Sequence, residues 1–162
     1  MAWTAPRTWV VNEAVPAATM NTHVRDNLLE LGTRRGVKLT RAAAQSIANN
    51  SATNISWTAE VADTDGFIAV TATTITIPAG LAGIYGISLS VTWASAPGTS
   101  AWMGIAANGV NYRLPAGVDL SPGMSITVDL PATTGTIICS VYQNSGGAIN
   151  ITAAMTAYRL GL

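Results

Sequence analysis

Tyr85-Gly-Ile-Ser-Leu-Ser-Val-Thr-Trp93 sets the architecture of this chain. Tyr85, Ile87, Leu89, Val91 and Trp93 are apolar, and Ser88, Ser90 and Thr92 between them are small and polar. Successive side chains of a strand point to opposite faces, so the stretch predicts one buried face and one wet face. The same period returns in Thr74-Ile-Thr-Ile77, ended by Pro78, and in Ser125-Ile-Thr-Val-Asp-Leu130, ended by Pro131. Thr136-Ile-Ile-Cys-Ser-Val-Tyr142 is a further apolar, strand-like run, and Ala148-Ile-Asn-Ile-Thr-Ala153 opens another strand that runs on towards Leu160. Turn signals separate these runs at Asp65-Gly66, Pro97-Gly98, Asn108-Gly109, Pro122-Gly123 and Ser145-Gly-Gly147. Asn108-Gly109 is a strong hairpin signal, because a type I′ turn asks both central residues for positive φ. The spacing leaves room for about eight strands and no helix, which predicts an all-β sandwich or jelly roll.

The composition bounds the function. The chain has 162 residues, enough for one domain or one domain plus an arm. Charged residues are 10% and hydrophobic ones 49%, with eight basic and eight acidic side chains. Such a chain is too apolar to be disordered, and it lacks the basic excess of a nucleic-acid binder. With so few charges, solubility rests on uncharged polar groups or on partner contacts, which points to a homo-oligomer or a larger assembly. Met1 to Ala18 has no basic segment followed by an apolar one, so no secretory signal is expected. The most apolar stretch, Leu81 to Ala94, is interrupted by Gly83, Gly86, Ser88, Ser90 and Thr92, so no membrane insertion is expected either.

The charges divide the chain in two. Residues 1–41 carry six basic groups (Arg7, Arg25, Arg34, Arg35, Lys38, Arg41) against Glu13, Asp26 and Glu30. Residues 42–162 carry Arg113 and Arg159 against Glu60, Asp63, Asp65, Asp119 and Asp129. An arm of residues 1–41 and a β body of residues 42–162 follow, with opposite net charge that favours head-to-tail contact between neighbours. Within the arm, Met20, Val24, Leu28 and Leu31 recur at helical spacing, Pro16 suits a first turn and Gly32 a stop. A helix of about 15 residues is marginal alone, so its stripe must pack on something. Ahead of it, Trp3, Pro6 and Trp9 form an extended aromatic segment, which reads as a peg for a partner. Thr33 to Arg41 reads as a short basic, solvated linker.

Two stretches resemble known families. Trp3-Thr-Ala-Pro-Arg-Thr-Trp-Val-Val-Asn-Glu-Ala-Val-Pro-Ala-Ala-Thr-Met-Asn-Thr-His-Val-Arg-Asp-Asn-Leu28 resembles an N-terminal segment of bacteriophage structural proteins, especially those of tailed phages. Its pattern is W-T-x-P-x-T-W, a glutamate, then N-T-H-x-R-D-N-L on a helix. The resemblance implies a particle-anchoring role for Trp3, Pro6, Trp9, Met20, Asn21, His23, Val24, Arg25, Asp26, Leu28 and Leu31. The body resembles the jelly roll of tumour necrosis factor (TNF) and the complement head. Val61-Ala-Asp-Thr-Asp-Gly-Phe67, Ile75-Thr-Ile-Pro-Ala-Gly80, Gly83-Ile-Tyr-Gly-Ile-Ser-Leu-Ser-Val-Thr-Trp93, Ile105-Ala-Ala-Asn-Gly109, Val141-Tyr-Gln-Asn-Ser-Gly-Gly147 and Tyr158-Arg-Leu160 carry it, in that order. This second resemblance implies a homotrimer, used by phages as fibre heads, receptor binders and capsid decorations.

No catalytic, cofactor-binding or metal-binding residue is expected. His23 is the single histidine and lies in the arm, which leaves a Ser-His-Asp triad without its base near the body, and no G-x-S-x-G elbow is present. Cys139 is the single cysteine, so neither an internal disulfide nor a cysteine zinc site can form. Asp63-Thr-Asp-Gly66 begins like a calcium loop but has no glutamate at the twelfth position. The reading is therefore a virion structural protein, made in the bacterial cytoplasm. Its partners are other copies and other phage proteins of tail or capsid, with a host-surface glycan or protein as receptor if it is a fibre head. The rival reading is a free carbohydrate-binding module or glycan hydrolase on the same sandwich, which would have no need of an aromatic peg and an amphipathic helix.

Overall fold

The computed structural model describes residues 4–5, 7–33, 35–68 and 72–161. The chain forms two compact units, residues 1–34 and 35–162. In the larger unit, β5 (Gly83–Trp93) shows the alternation its sequence dictates, with every odd position buried. Tyr85, Ile87, Leu89, Val91 and Trp93 keep at most 2% of their surface. Burying one such side chain contributes about 1.5–3 kcal/mol relative to leaving it in water.

The body is an antiparallel jelly roll of the TNF type, with ten strands among the described residues. One sheet has the order β3 (Ala59–Asp63), β1 (Gly36–Ile47), β10 (Ile149–Gly161), β5, β8 (Gly123–Leu130). The other has the order β2 (Thr53–Asn54), β9 (Thr136–Tyr142), β6 (Trp102–Ala107), β7 (Val110–Pro115), with β4 (Thr74–Thr76) also paired to β9. β2 and β4 are the short strands that raise the count from about eight to ten. The inner faces meet in one core that includes Trp57, Phe67, Tyr85, Met103, Ile105 and Met155. Asn108-Gly109 makes the expected hairpin between β6 and β7, with φ of 47° and 81°.

The boundary expected at residue 41 is corrected. Lys38 to Arg41 is not a linker but part of β1, paired with β10 and β3. Val37 and Leu39 are buried core residues, so the strand is held by the same apolar burial as its neighbours. Gly36 is required at its start, since a Cβ there would sit 2.3 Å from the carbonyl oxygen of Ala157. With the boundary after residue 34, each unit carries equal numbers of basic and acidic groups: Arg7, Arg25 and Arg34 against Glu13, Asp26 and Glu30 in the first. The head-to-tail charge asymmetry expected from the sequence therefore disappears.

The smaller unit is an extended segment, a turn and a helical stretch. The stretch consists of α1 (Ala17–Met20), a π-helical turn (Asn21–Arg25) and α2 (Asp26–Gly32). Pro16 is extended and stands just before the first turn, and Gly32 is the last helical residue rather than the stop after it.

Candidate functional site

The N-terminal unit is organised by polar groups. Asn27 is 5% exposed, and its side-chain amide takes the place of a strand rung. Its Oδ1 accepts the Thr4 backbone N–H at 3.0 Å, and its Nδ2 donates to the Thr4 carbonyl at 2.8 Å and to the His23 carbonyl at 3.2 Å. These bonds clip the extended segment to the helix. The turn that follows is held by Glu13, which forms an ion pair with Arg7, accepts the Val10 N–H on Oε2 at 3.4 Å, and donates its own N–H to the Val10 carbonyl at 3.1 Å. Asn12 supplies the positive φ of 64° that this turn needs. Arg7 also lies over the Trp9 ring at 5.3 Å, and Trp9 meets His23 edge-on at 6.5 Å.

With polar groups closing the unit, apolar ones remain outside. Trp9, Val10, Val11, Met20, Val24, Leu28 and Leu29 are all exposed, Val11 by 87% and Leu28 by 63%. Met20, Val24 and Leu28, expected to form an apolar stripe, are each left exposed rather than packed within their own unit. The π turn explains part of this: an i→i+5 turn inserts a residue and shifts the phase of everything after it. Asn21, Val24 and Arg25 lie in that turn, exposed, with His23 half-buried beside them. Arg25 pairs with its neighbour Asp26 at 2.7 Å. Trp3 and Pro6 lie outside the described residues, as does the side chain of Leu31. Asn27 was absent from the expected anchoring residues, and its position in N-T-H-x-R-D-N-L was the only signal that would have raised it.

Two surfaces of the body carry few charges. The outer face of the β5-bearing sheet presents Ser88, Ser90, Thr92, Ser125, Thr152 and Thr156, with Ser88 and Ser125 hydrogen-bonded at 2.8 Å. A shallow hollow of about 350 Å³ lies along β5, β8 and β10 on this face. The sandwich is also imperfectly closed at the terminal strands of its two sheets. Tyr112, Met124, Ile126 and Val128 pack on the core yet remain half-exposed, and Val110 and Leu114 are exposed.

The titratable side chains of the body's interior and of the Asp63–Gly66 turn have structural partners or are enclosed. Cys139 is fully buried, and burial pushes its thiol up to about 12. Tyr85 donates to the Leu81 carbonyl at 2.7 Å, and its hydroxyl is pushed up to about 12 mainly by burial. Asp63 accepts three backbone N–H groups, from Asp65, Gly66 and Ile68, and Asp65 pairs with Arg35. Among the described residues no group of three or more His, Cys, Asp or Glu is placed to hold a metal, and no helix is long and apolar enough to cross a membrane.

No family model and no curated protein sequence matches this chain. Solved structures do. The PRD1 vertex protein P5 superimposes with a TM-score of 0.63 at 18% identity, covering 78% of this chain and 96% of that one. The globular domain of zebrafish complement 1qA gives 0.53 at 8% identity, over 78% and 98% of the two chains. Murine APRIL gives 0.52 at 11% identity, over 76% and 98%. At these identities the likeness is one of fold.

Proposed function

We propose that this chain is a phage virion structural protein: a trimeric jelly-roll head, docked to the particle by its N-terminal unit. The observation that carries the reading is that unit itself, closed by Asn27 and the Arg7–Glu13 pair while Trp9, Val10, Val11, Val24, Leu28 and Leu29 face outward. A soluble module gains nothing from such a surface, and large contiguous apolar patches mark interaction sites. The fold shared with a phage vertex protein supports the same assignment.

Two different uncovered surfaces on one body support the trimer in this reading. The half-open rim at β7 and β8 is apolar, and the outer face of the β5-bearing sheet is mostly serine and threonine, with Lys38 on β1 and Asp129 on β8 as charged exceptions. A contact that joins two unlike surfaces is heterologous, and it closes into a ring when the rotation permits. The head is non-enzymatic in this reading, and its activity is attachment: to a host-surface glycan or protein on a fibre, or to the shell as a capsid decoration.

Removing residues 1–34 is the decisive experiment. The remaining body should stay folded, sediment at about three times its own mass, and fail to enter particles. Particles carrying the truncated protein at normal copy number would refute docking by this unit. A full-length protein of 16.7 kDa that stays monomeric at micromolar concentration would refute the trimer.

A further inference from the structure

On the outer face of the second sheet, three side chains from adjacent strands form one stack. Trp102 on β6 and Tyr142 on β9 are cross-strand partners with rings 5.9 Å apart and 6° from parallel. Arg113 on β7 lays its guanidinium over the same indole, 4.2 Å from the ring centroid. Because β9 and β7 flank β6 on opposite sides, Tyr142 and Arg113 approach Trp102 from opposite sides. The tyrosine hydroxyl is tethered in turn to the Asn50 side chain at 3.2 Å. Buried Gly104 lies beneath, where a Cβ would meet both Trp102 and Arg113 at 3.4 Å.

Arg113 is unusual in this body. Arg35 pairs with Asp65, whereas Arg113 is exposed and, among the described residues, makes no hydrogen bond or ion pair. Held flat on the indole, its fork of N–H donors is already oriented and unspent, which favours a planar anion bound bidentately. Beside that fork stands a rim of aromatic carbon, an apolar body with a polar handle. One cation on a charge-poor face does not make a nucleic-acid track, which neutralises several phosphates in a row.

We propose that the Arg113–Trp102–Tyr142 stack is a binding site for a carboxylated sugar. The carboxylate takes the guanidinium edge, and the C–H groups of the ring rest on the rims of Trp102 and Tyr142. This rests on the host-attachment reading above and names its ligand class.

Full-length protein titrated with tri-galacturonic acid, and separately with its methyl ester, tests the site by the NMR signal of the Trp102 indole N–H. The ester keeps the rings and removes the charge. The acid should give saturable shifts, and the ester should bind about tenfold more weakly or worse, as expected when a charge-assisted pair is lost. Arg113→Ala should erase the difference between the two. Arg113→Lys, which keeps the charge without the fork, should fall between and guards against a folding defect in the alanine variant. Equal shifts with acid and ester, no shift at Trp102, or undiminished binding by a folded Arg113→Ala protein would each overturn the site. Particle incorporation of Arg113→Ala should be normal, so a failure of virion docking and a failure of sugar binding are read in separate assays.

Discussion

The two units solve the same problem in opposite ways. The body hides most of its large apolar side chains and joins its strands with backbone ladders. The N-terminal unit hides an asparagine and shows its apolar side chains. Leu89 and Leu28 make the contrast concrete, since one keeps 2% of its surface and the other 63%. A unit of about 34 residues cannot bury enough apolar area to hold a core of its own. Polar clips give it a shape instead, and its hydrophobic surface is left for something else to cover.

The body should break first at its centre. Leu89→Ala removes a buried side chain from β5 in the middle of the core and should cost about 2–5 kcal/mol, with the spread set by how far the cavity collapses. Chemical denaturation of the body alone measures it. A loss under about 1 kcal/mol, the size of a surface change, would mean that the sandwich is loosely packed and that the contrast with the N-terminal unit is overstated.

Alkali should also act on the body. Cys139 and Tyr85 both have their protonated forms favoured by burial, with pKa values pushed up to about 12. The native state therefore binds more protons than the unfolded chain once the pH passes the ordinary thiol value. The contribution is complete below that value and is lost as pH rises towards about 12. Stability measured against pH should be level near neutrality and fall from about pH 9 upward, and Cys139→Ala should flatten the first part of that fall. A flat profile to pH 11 would mean that the thiol is less enclosed than its position between Ile105 on β6 and Ile55 implies.

Most of the sandwich was legible because its strands are half-buried and announce themselves by period two. β5, β8 and β10 alternate cleanly, and Asn108-Gly109 names its own turn. β1 was hidden for a physical reason. Lys38 and Arg41 sit among its residues, Ala42 to Ala44 carry no period, and its pairing with β10 slips between Arg41 and Gln45. The charge count then misplaced the boundary, since it counted three of the body's cations as the arm's. Asn27 was illegible for another reason. Its partner Thr4 is 23 residues away, and nothing in a single residue announces that its amide will imitate a strand. The Trp102 stack likewise depends on register: only once β9, β6 and β7 are aligned do Tyr142, Trp102 and Arg113 become neighbours.

Asn27→Ala probes the clip at a smaller scale. It leaves the Thr4 N–H and carbonyl without partners and should cost the N-terminal unit about 1–3 kcal/mol, the penalty for stranding buried polar groups. The unfolding of the body should not change. Hydrogen exchange at the Thr4 amide reads the effect directly, with protection expected in the parent and lost in the variant. Unchanged protection would mean that the extended segment is held by Trp9 and Arg7 rather than by the amide.

Leu28→Ala should have the smallest effect on stability, and that is its value. A leucine truncated in a core costs several kcal/mol, but one already in water has no core contacts to lose, and a helix tolerates alanine at least as well as leucine. The change in unfolding free energy of the free protein should stay within about 0.5 kcal/mol. Particle incorporation should nevertheless drop, because truncating a buried anchor at an interface commonly costs more than about 1 kcal/mol of binding, which is a several-fold loss of occupancy when sites are limiting. The pairing of a silent stability measurement with a loss of incorporation is what separates a docking surface from an exposed leucine of no consequence. A large loss of stability in the free protein would place Leu28 in a core after all. Normal incorporation would show that the partner does not use this face of the helix.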